Sequence, residues 1–249
     1  MGGALLDRWL ACGLPAANVT VIDPHPKALP EGVAVAPSVD AAAGAPAVVV
    51  LAIKPQLLDA VAPSLAGRVA ADALLVSILA GTRHATLSER FAAPVVRAMP
   101  NTPARLGQGT TVMFGPVSDE RRAAAEALMA AVGQVHWVDD ESLFDAVTGV
   151  SGSGPAYVFR FIEALEAAGV AAGLPRPLAA SLALETVVGA AALAAERRAP
   201  PTALREQVTS PNGTTDAGLA VLDGSGALTR LLGDTVAAAA ARSRELAGR

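Results

Sequence analysis

Cysteine occurs once in these 249 residues, at Cys12, so the chain cannot close a disulfide on itself. That cysteine is expected to pack inside as a small hydrophobe. Histidine occurs three times, at His25, His84 and His136, far apart and with no cysteine beside them, a spacing that builds no zinc site. Aromatic residues make up 3% of the chain, too few for stacking platforms that hold bases or sugars. Lysine and arginine total 19, form no block and leave a formal net charge of −4, which excludes an electrostatic footprint for nucleic acid or an anionic membrane. The longest uncharged apolar stretch, near Ala41 to Ile53, falls short of the roughly 20 residues that span a bilayer. The first thirty residues carry no basic segment followed by an apolar run and a cleavage site, and a cytoplasmic location is expected. A Ser–His–Asp set, a catalytic Cys–His pair and a carboxylate dyad are all missing as well.

Hydrophobic residues, by contrast, reach 52% against 17% charged, ample for one large or two small packed domains. The first half alternates short apolar runs with stretches of helical length. Asn18 to Ile22, Ala47 to Ile53, Ala73 to Ile78 and Pro94 to Met99 read as strands bounded by turn residues, with two more near Thr110 to Phe114 and Gln134 to Val138. Ala47 to Ile53 is apolar without alternation, which predicts burial on both faces in a parallel sheet. Between the strands, Gln56 to Leu65 and Thr82 to Phe91 read as helices, the second opened by Thr82, and Ser118 is expected to open the Ala-rich helix before the last strand. This order predicts an α/β fold with a doubly wound parallel sheet. After about Asp139 the strand-like runs stop, and Ala, Leu and Glu at helical spacing continue to Arg249, broken by Gly and Pro. Leu178 to Leu193 is apolar on more than one side, more than a small bundle can bury, and predicts a dimer interface.

Several residues stand where chemistry could occur. Gly2 and Gly3 open a helix that runs to about Cys12, and Asp23 ends the following strand, 21 positions after Gly2. In dinucleotide-binding units an acidic residue follows the helix-opening glycine at about that spacing and binds the ribose. The strand and first glycines of that fingerprint have no counterpart before Met1, so a plain helix start and a turn residue before Pro24 fit equally here. Lys54, one of only two lysines, follows an expected strand in Ala52-Ile53-Lys54-Pro55, and ligands of open α/β sheets bind outside strand carboxyl ends. A solvated lysine is the alternative. Leu79-Ala80-Gly81 and Met99-Pro100-Asn101-Thr102-Pro103 also follow strands, as crevice loops or as ordinary turns. In the helical half, Val208 to Asp216 reads VTSPNGTTD and places Ser210, Gly213, Thr214 and Thr215 at a helix start. Free backbone N–H groups there suit a carboxylate or phosphate, unless Ser210 or Thr214 is simply the cap.

Taken together, MGGALL at Met1 to Leu6, LAIKPQ at Leu51 to Gln56, RAMPNTP at Arg97 to Pro103 and DAVTGVSGSGPAYVFRFIEAL at Asp145 to Leu165 give the chain a resemblance to the pyrroline-5-carboxylate reductases. AAGVAAGLPR at Ala167 to Arg176 and VTSPNGTTDAGLAVLD at Val208 to Asp223 complete a likeness that spans the whole chain. The resemblance implies a Rossmann-type NAD(P)-binding domain over 1–139, lacking its first strand, and a helical substrate-binding and dimerisation domain over 140–249. It implies reduction of 1-pyrroline-5-carboxylate to proline by NADPH or NADH, in a homodimer or higher homo-oligomer. Gly2, Gly3, Asp23, Ala52, Ile53, Lys54, Pro55, Ala80, Gly81, Met99, Pro100 and Asn101 match cofactor-contacting positions. Ser210, Gly213, Thr214 and Thr215 match the loop that holds the substrate carboxylate and ring nitrogen, and Glu141 matches a substrate-side acid. Thr215 matches the hydroxyl on the imine nitrogen, the one catalytic position. No metal is implied. Val39 departs from the family, which often carries Asn there near the cofactor.

The expected mechanism is hydride transfer to an iminium, which is already electrophilic and needs no dedicated general acid. Asp23 repels a 2′-phosphate by charge, yet His25 and Lys27 stand near enough in sequence to accept one, so the sequence leaves NADH and NADPH both open. Another Rossmann imine or β-hydroxyacid reductase is one rival, although such enzymes are expected to place a catalytic Lys or Asp on an interdomain helix and this helical half has no Lys. A cofactor-deficient, non-catalytic dimer is the other. With the first strand absent, dinucleotide binding is expected to be weaker than in a form that has it.

Overall fold

The structure, a computed structural model, describes residues 1–248 and divides into two compact units. The first comprises Met1–Ser153 and takes in the chain again from Ala238, and the second comprises Gly154–Ala237. The first unit thus runs past the expected boundary at 139/140. The change from strands to helices in the sequence marks a change of local structure, whereas Phe144 and Asp145, just beyond it, are buried.

In the first unit, α1 (Gly2–Ala11) buries Leu5, Leu6 and Trp9 on one face, and the Trp9 indole N–H donates to the Leu128 carbonyl at 2.8 Å. β1 (Thr20–Ile22) and β2 (Ala34–Ala36) form a parallel two-stranded sheet of their own. β3 (Val48–Leu51), α2 (Leu58–Ala66), β4 (Leu74–Ser77), α3 (His84–Ser88), β5 (Val95–Met99), β6 (Gly109–Phe114), α4 (Asp119–Ala130) and β7 (Gly133–Trp137) follow. They build a sheet in the order β3-β4-β5-β6-β7. The sheet is parallel except between β5 and β6, where Ala98 faces Met113 in antiparallel register. The link from Pro100 to Gln108 holds only a 3-10 turn, too short for the crossover that a parallel pair needs. The expected doubly wound parallel sheet is thus a mostly parallel one, with this single pair antiparallel.

Helices cover both faces of the sheet, as a doubly wound arrangement requires. Leu51, Leu75 and Val95 pack on one face with Leu58, Ala62 and Leu65 of α2 and Leu87 of α3. Leu74, Val76, Val96, Ala98 and Met113 pack on the other with Leu5 and Trp9 of α1 and Ala125 and Met129 of α4. The alternation along β4 is the period-2 geometry of a strand feeding two cores, and each fully buried Leu contributes roughly 1.5–3 kcal/mol. β4, not the Ala47 to Ile53 run, is the most buried strand: all four of its residues are buried, while Val48 of β3 is 39% exposed. β3 is an edge, because β1 pairs only with β2 and β3 only with β4. Thr82 does not open α3, which starts at His84 with Arg83 as its uncapped N-cap residue. Ser118 does precede α4, and its hydroxyl accepts from the Arg121 guanidinium at 3.4 Å rather than from a backbone N–H of the helix. Cys12, expected inside, is exposed, since it ends α1 at the surface, its thiol 3.7 Å from the Ala131 carbonyl.

α5 (Phe144–Val147) runs into a single π-helical turn, Thr148–Gly152, at the end of the first unit. The second unit opens with α6 (Gly154–Ala171) and α7 (Arg176–Arg197) and continues through α8 (Pro201–Gln207) and α9 (Thr214–Leu222). α10 (Ala227–Leu246) begins there and ends in the first unit. α6 and α7 approach through small residues: a Cβ at Gly169 would lie 3.2 Å from the Ala179 Cβ. Ala179 and Ala183 are the only buried residues on these two helices, while Phe159 and Phe161 of α6 and Leu178, Leu182, Leu184, Val188 and Leu193 of α7 are exposed. By length and composition alone α7 is apolar enough to cross a membrane. Glu185 divides its apolar sequence into two shorter runs.

Candidate active site

The carboxyl ends of β3, β4 and β5 carry the loops that the sequence singled out. Gly2, at the start of α1, lies against the loop after β3: a Cβ on Gly2 would sit 2.8 Å from the Ala52 Cβ, so only glycine allows this approach. Beside it, Gly3 opens onto free space. The N–H groups of α1 ahead of Leu5, whose own N–H donates to the Met1 carbonyl at 3.1 Å, have no intrahelical acceptor. Ala52 and Lys54 are exposed and Ile53 and Pro55 half-buried, with the Lys54 carbonyl accepting the Leu57 N–H at 2.9 Å. Ala80 is exposed, and Gly81 adopts φ +72°, the left-handed region. A Cβ there would also lie 3.4 Å from the Ala247 nitrogen. Asp23 follows β1 and is half-buried, and its Oδ1 accepts the His25 N–H at 2.8 Å, which fixes the carboxylate at the strand's end. Val39, where the family often has Asn, is buried in the core under α2.

Two of the expected ligands turn inward. Asn101 is buried and both ends of its amide are engaged: Oδ1 accepts the Thr110 N–H at 2.9 Å, and Nδ2 donates to the Ser151 carbonyl at 3.2 Å in the π-helical turn. Met99 reaches the same turn, since a Cβ on Gly152 would meet the Met99 methyl at 2.7 Å. Glu141 carries one carboxylate oxygen on two donors, the His84 backbone N–H and the Arg97 guanidinium, each at 2.5 Å. Arg97 is a buried charge on β5 and lies 4.2 Å over the Phe144 ring. Arg97, His84 and Ser151 were not singled out from the sequence. A charged residue inside an apolar strand run was the available signal for Arg97. Asp145, also unflagged, accepts the Ser243 hydroxyl at 2.8 Å and so pins the end of α10 to α5. Next to Glu141, the Ser142 hydroxyl and N–H donate to the Asp140 carboxylate, hold its pKa below the ordinary value and cap the turn.

In the second unit the loop before α9 is a tight turn. The Gly213 N–H donates to the Ser210 carbonyl at 2.9 Å, and Asn212 takes φ +59° with its N–H on Asp216 Oδ2 at 3.0 Å. Gly213 is the N-cap residue, and neither Ser210 nor Thr214 caps the helix through its side chain. The first helical hydrogen bond is Ala217 N–H to the Gly213 carbonyl at 3.1 Å, so the Thr214, Thr215 and Asp216 N–H groups precede it. Ser210, Thr214 and Thr215 are exposed. Three backbone donors and three hydroxyls thus gather at one positive helix end, a set suited to a small carboxylate.

Residues 141–246 match the model for pyrroline-5-carboxylate reductase dimerisation, and residues 1–81 match the model described as NADP oxidoreductase coenzyme F420-dependent. The chain is 48% identical to a pyrroline-5-carboxylate reductase of Synechocystis over 86% of its own length and 80% of the relative's. It is 41% identical to that of Pseudomonas aeruginosa over 99% and 93% of the two chains. Among solved structures, a pyrroline-5-carboxylate reductase from Coxiella burnetii superimposes with a TM-score of 0.89 at 32% identity, covering 98% of this chain and 94% of that one. A pyrroline carboxylate reductase from Plasmodium falciparum with NADP bound gives 0.86 at 28% identity, covering 99% and 94%.

Proposed function

The chain belongs to the pyrroline-5-carboxylate reductase family, and from that premise we propose that it reduces 1-pyrroline-5-carboxylate to L-proline with NADPH or NADH. The observation that carries the reading is the donor cluster before α9, where Ser210, Thr214 and Thr215 and free N–H groups share one helix start. It fits the substrate's carboxylate. The first unit fits a dinucleotide by a separate observation: the glycine-only approach of Gly2 to Ala52 packs the start of α1 closely against the end of β3, with Gly3 open beside it, as the helix-packing glycine of a dinucleotide unit does. Ala52 to Pro55, Ala80, Gly81, Met99 and Pro100 would line that site, with Asp23 on the ribose hydroxyls. When bound, the reduced nicotinamide supplies a hydride equivalent.

The chain's own residues then have modest tasks. The Thr214 and Thr215 N–H groups hold the carboxylate, and the Thr215 hydroxyl oxygen accepts the iminium N–H and orients the ring. A C–H bond forms at the imine carbon while the C=N π pair moves onto nitrogen. That nitrogen already carries its proton, so the product is the neutral secondary amine and no side chain has to donate one. Assembly follows from the same reading, because the exposed apolar side chains of α6 and α7 lie within the dimerisation match and fit a homodimer or larger homo-oligomer. The single cysteine is consistent with a cytoplasmic enzyme.

The test is absorbance of the reduced nicotinamide, followed with the full chain, both cofactors and 1-pyrroline-5-carboxylate. Substrate-dependent loss of signal with formation of proline is expected. Absence of turnover with either cofactor contradicts the proposal, and failure to bind either dinucleotide identifies the non-catalytic alternative.

A further inference from the structure

We infer that Glu141 is a positioning residue for the dinucleotide site rather than a ligand of the substrate, an inference that rests on the function proposed above. One oxygen of its carboxylate receives the His84 N–H and the Arg97 guanidinium, both at 2.5 Å. His84 is the first residue of α3, a helix whose own N-cap residue, Arg83, contributes no side-chain bond. Glu141 therefore caps α3 from 57 residues away. That helix start is three residues beyond Gly81, in the loop after β4. Arg97 stands two residues before Met99, in the strand that delivers the loop Met99 to Asn101. A single carboxylate thus ties together the two loops expected to line the dinucleotide site.

The energetics favour this role. The Arg97 side chain is 5% exposed and that of Glu141 25%, so the pair is largely withdrawn from water. Withdrawing the Glu141 carboxylate would break an ion pair and a backbone bond made largely out of water, which makes Glu141 poorly suited to exchange these partners for a substrate group in each turnover. The Arg97 guanidinium is further fixed over the Phe144 ring, on the same turn that supplies Glu141. The result is a clamp between α3, β5 and the turn 141–143. Its effect falls on the geometry of the two loops, and the donor cluster before α9 has no part in it.

The test measures NADPH affinity by fluorescence titration of the full chain, beside kcat and the substrate KM at saturating NADPH. Glu141→Ala removes both bonds and is expected to raise the NADPH Kd about tenfold, since their loss reaches the dinucleotide only through the two loops, with the substrate KM changed less than about twofold. Glu141→Gln keeps an acceptor for the His84 N–H and should recover part of that loss. Should Glu141→Ala not fold, the double variant Arg97→Met with Glu141→Met replaces this ion pair with apolar side chains while keeping volume. It is expected to fold and still bind NADPH weakly, because the His84 N–H has lost its acceptor. A raised substrate KM with unchanged NADPH Kd overturns the inference and returns Glu141 to the substrate. Unchanged NADPH affinity in Glu141→Ala, or in the double variant, overturns it as well. Failure of the unaltered chain to bind NADPH instead overturns the functional reading beneath it, so the two failures are distinguishable.

Discussion

The two units place their apolar residues in opposite ways. In the first, β4 and β5 feed two cores, and Leu75, Val76 and Val96 have no exposed surface. In the second, helices of comparable apolarity bury only Ala179 and Ala183 and turn Phe159, Phe161, Leu182 and Val188 outward. Both regions are rich in Ala, Leu and Val, so composition does not separate them. The difference is one of partners: the sheet is covered on both faces by helices of its own chain, whereas α6 and α7 leave apolar faces that match a dimerisation domain.

The largest expected effect lies on those outward faces. Introducing charge at two of them, Phe161→Glu with Leu182→Glu, should weaken self-association by at least about a hundredfold, since each buried unpaired charge opposes the interface by several kcal/mol. Sedimentation velocity at micromolar concentration reads the result. An unchanged sedimentation coefficient would remove these residues from the interface.

The same contrast can be sharpened with one substitution in each region. Leu75→Ala opens a cavity in the first unit and should cost about 2–5 kcal/mol of stability in denaturant unfolding. Leu182→Ala, on an exposed position, should leave the unfolding of dissociated chains within about 0.5 kcal/mol and act on assembly instead. Equal losses at the two sites would contradict the comparison.

At the substrate loop, Thr215→Val keeps the volume and removes the hydroxyl. Loss of one hydrogen bond to a charged iminium should lower kcat/KM by the equivalent of about 1–3 kcal/mol, with the first unit's NADPH affinity unchanged. An unaltered kcat/KM removes Thr215 from the mechanism. The smallest effect concerns Asp140. Its pKa lies lower in the folded chain than in the unfolded one, so the bonds from Ser142 stabilise above the unfolded value, near 3.9, and their contribution disappears as pH falls through the folded value. Asp140→Asn should therefore flatten slightly the acid side of the curve of melting temperature against pH, its cost shrinking as the pH falls. A variant whose loss is greatest at the acid end contradicts the assignment.

How far the sequence foretold these features depends on the range of the interactions involved. β4 and β5 were legible as apolar runs between turns because burial on both faces leaves a local mark. β2 was not, since Ala34–Ala36 has three residues and no such mark. The turn of β6 against β5 was not foreseen either, although the shortness of the link after Met99 contained it. At the site, Gly2, Gly81 and Gly213 were visible because close backbone approach and left-handed φ leave glycine in the sequence. The side-chain orientations of Asn101 and Glu141 were not, because their partners lie far along the chain: Ser151 is 50 residues from Asn101, and Arg97 is 44 from Glu141. Family resemblance marked both positions as important and could not tell a ligand from a clamp. Cys12 was misplaced for a local reason, as it terminates α1 where that helix reaches the surface.

Hydride delivery is the step on which the functional reading depends, and isotope transfer observes it directly. The full chain should be incubated with 1-pyrroline-5-carboxylate and NADPH or NADH carrying deuterium at the transferred position, and the product examined by NMR. Proline bearing deuterium on the former imine carbon, in amounts equal to the dinucleotide oxidised, is the expected result. Unlabelled proline, or oxidation of the dinucleotide without proline, would contradict the assignment of this chain as a pyrroline-5-carboxylate reductase.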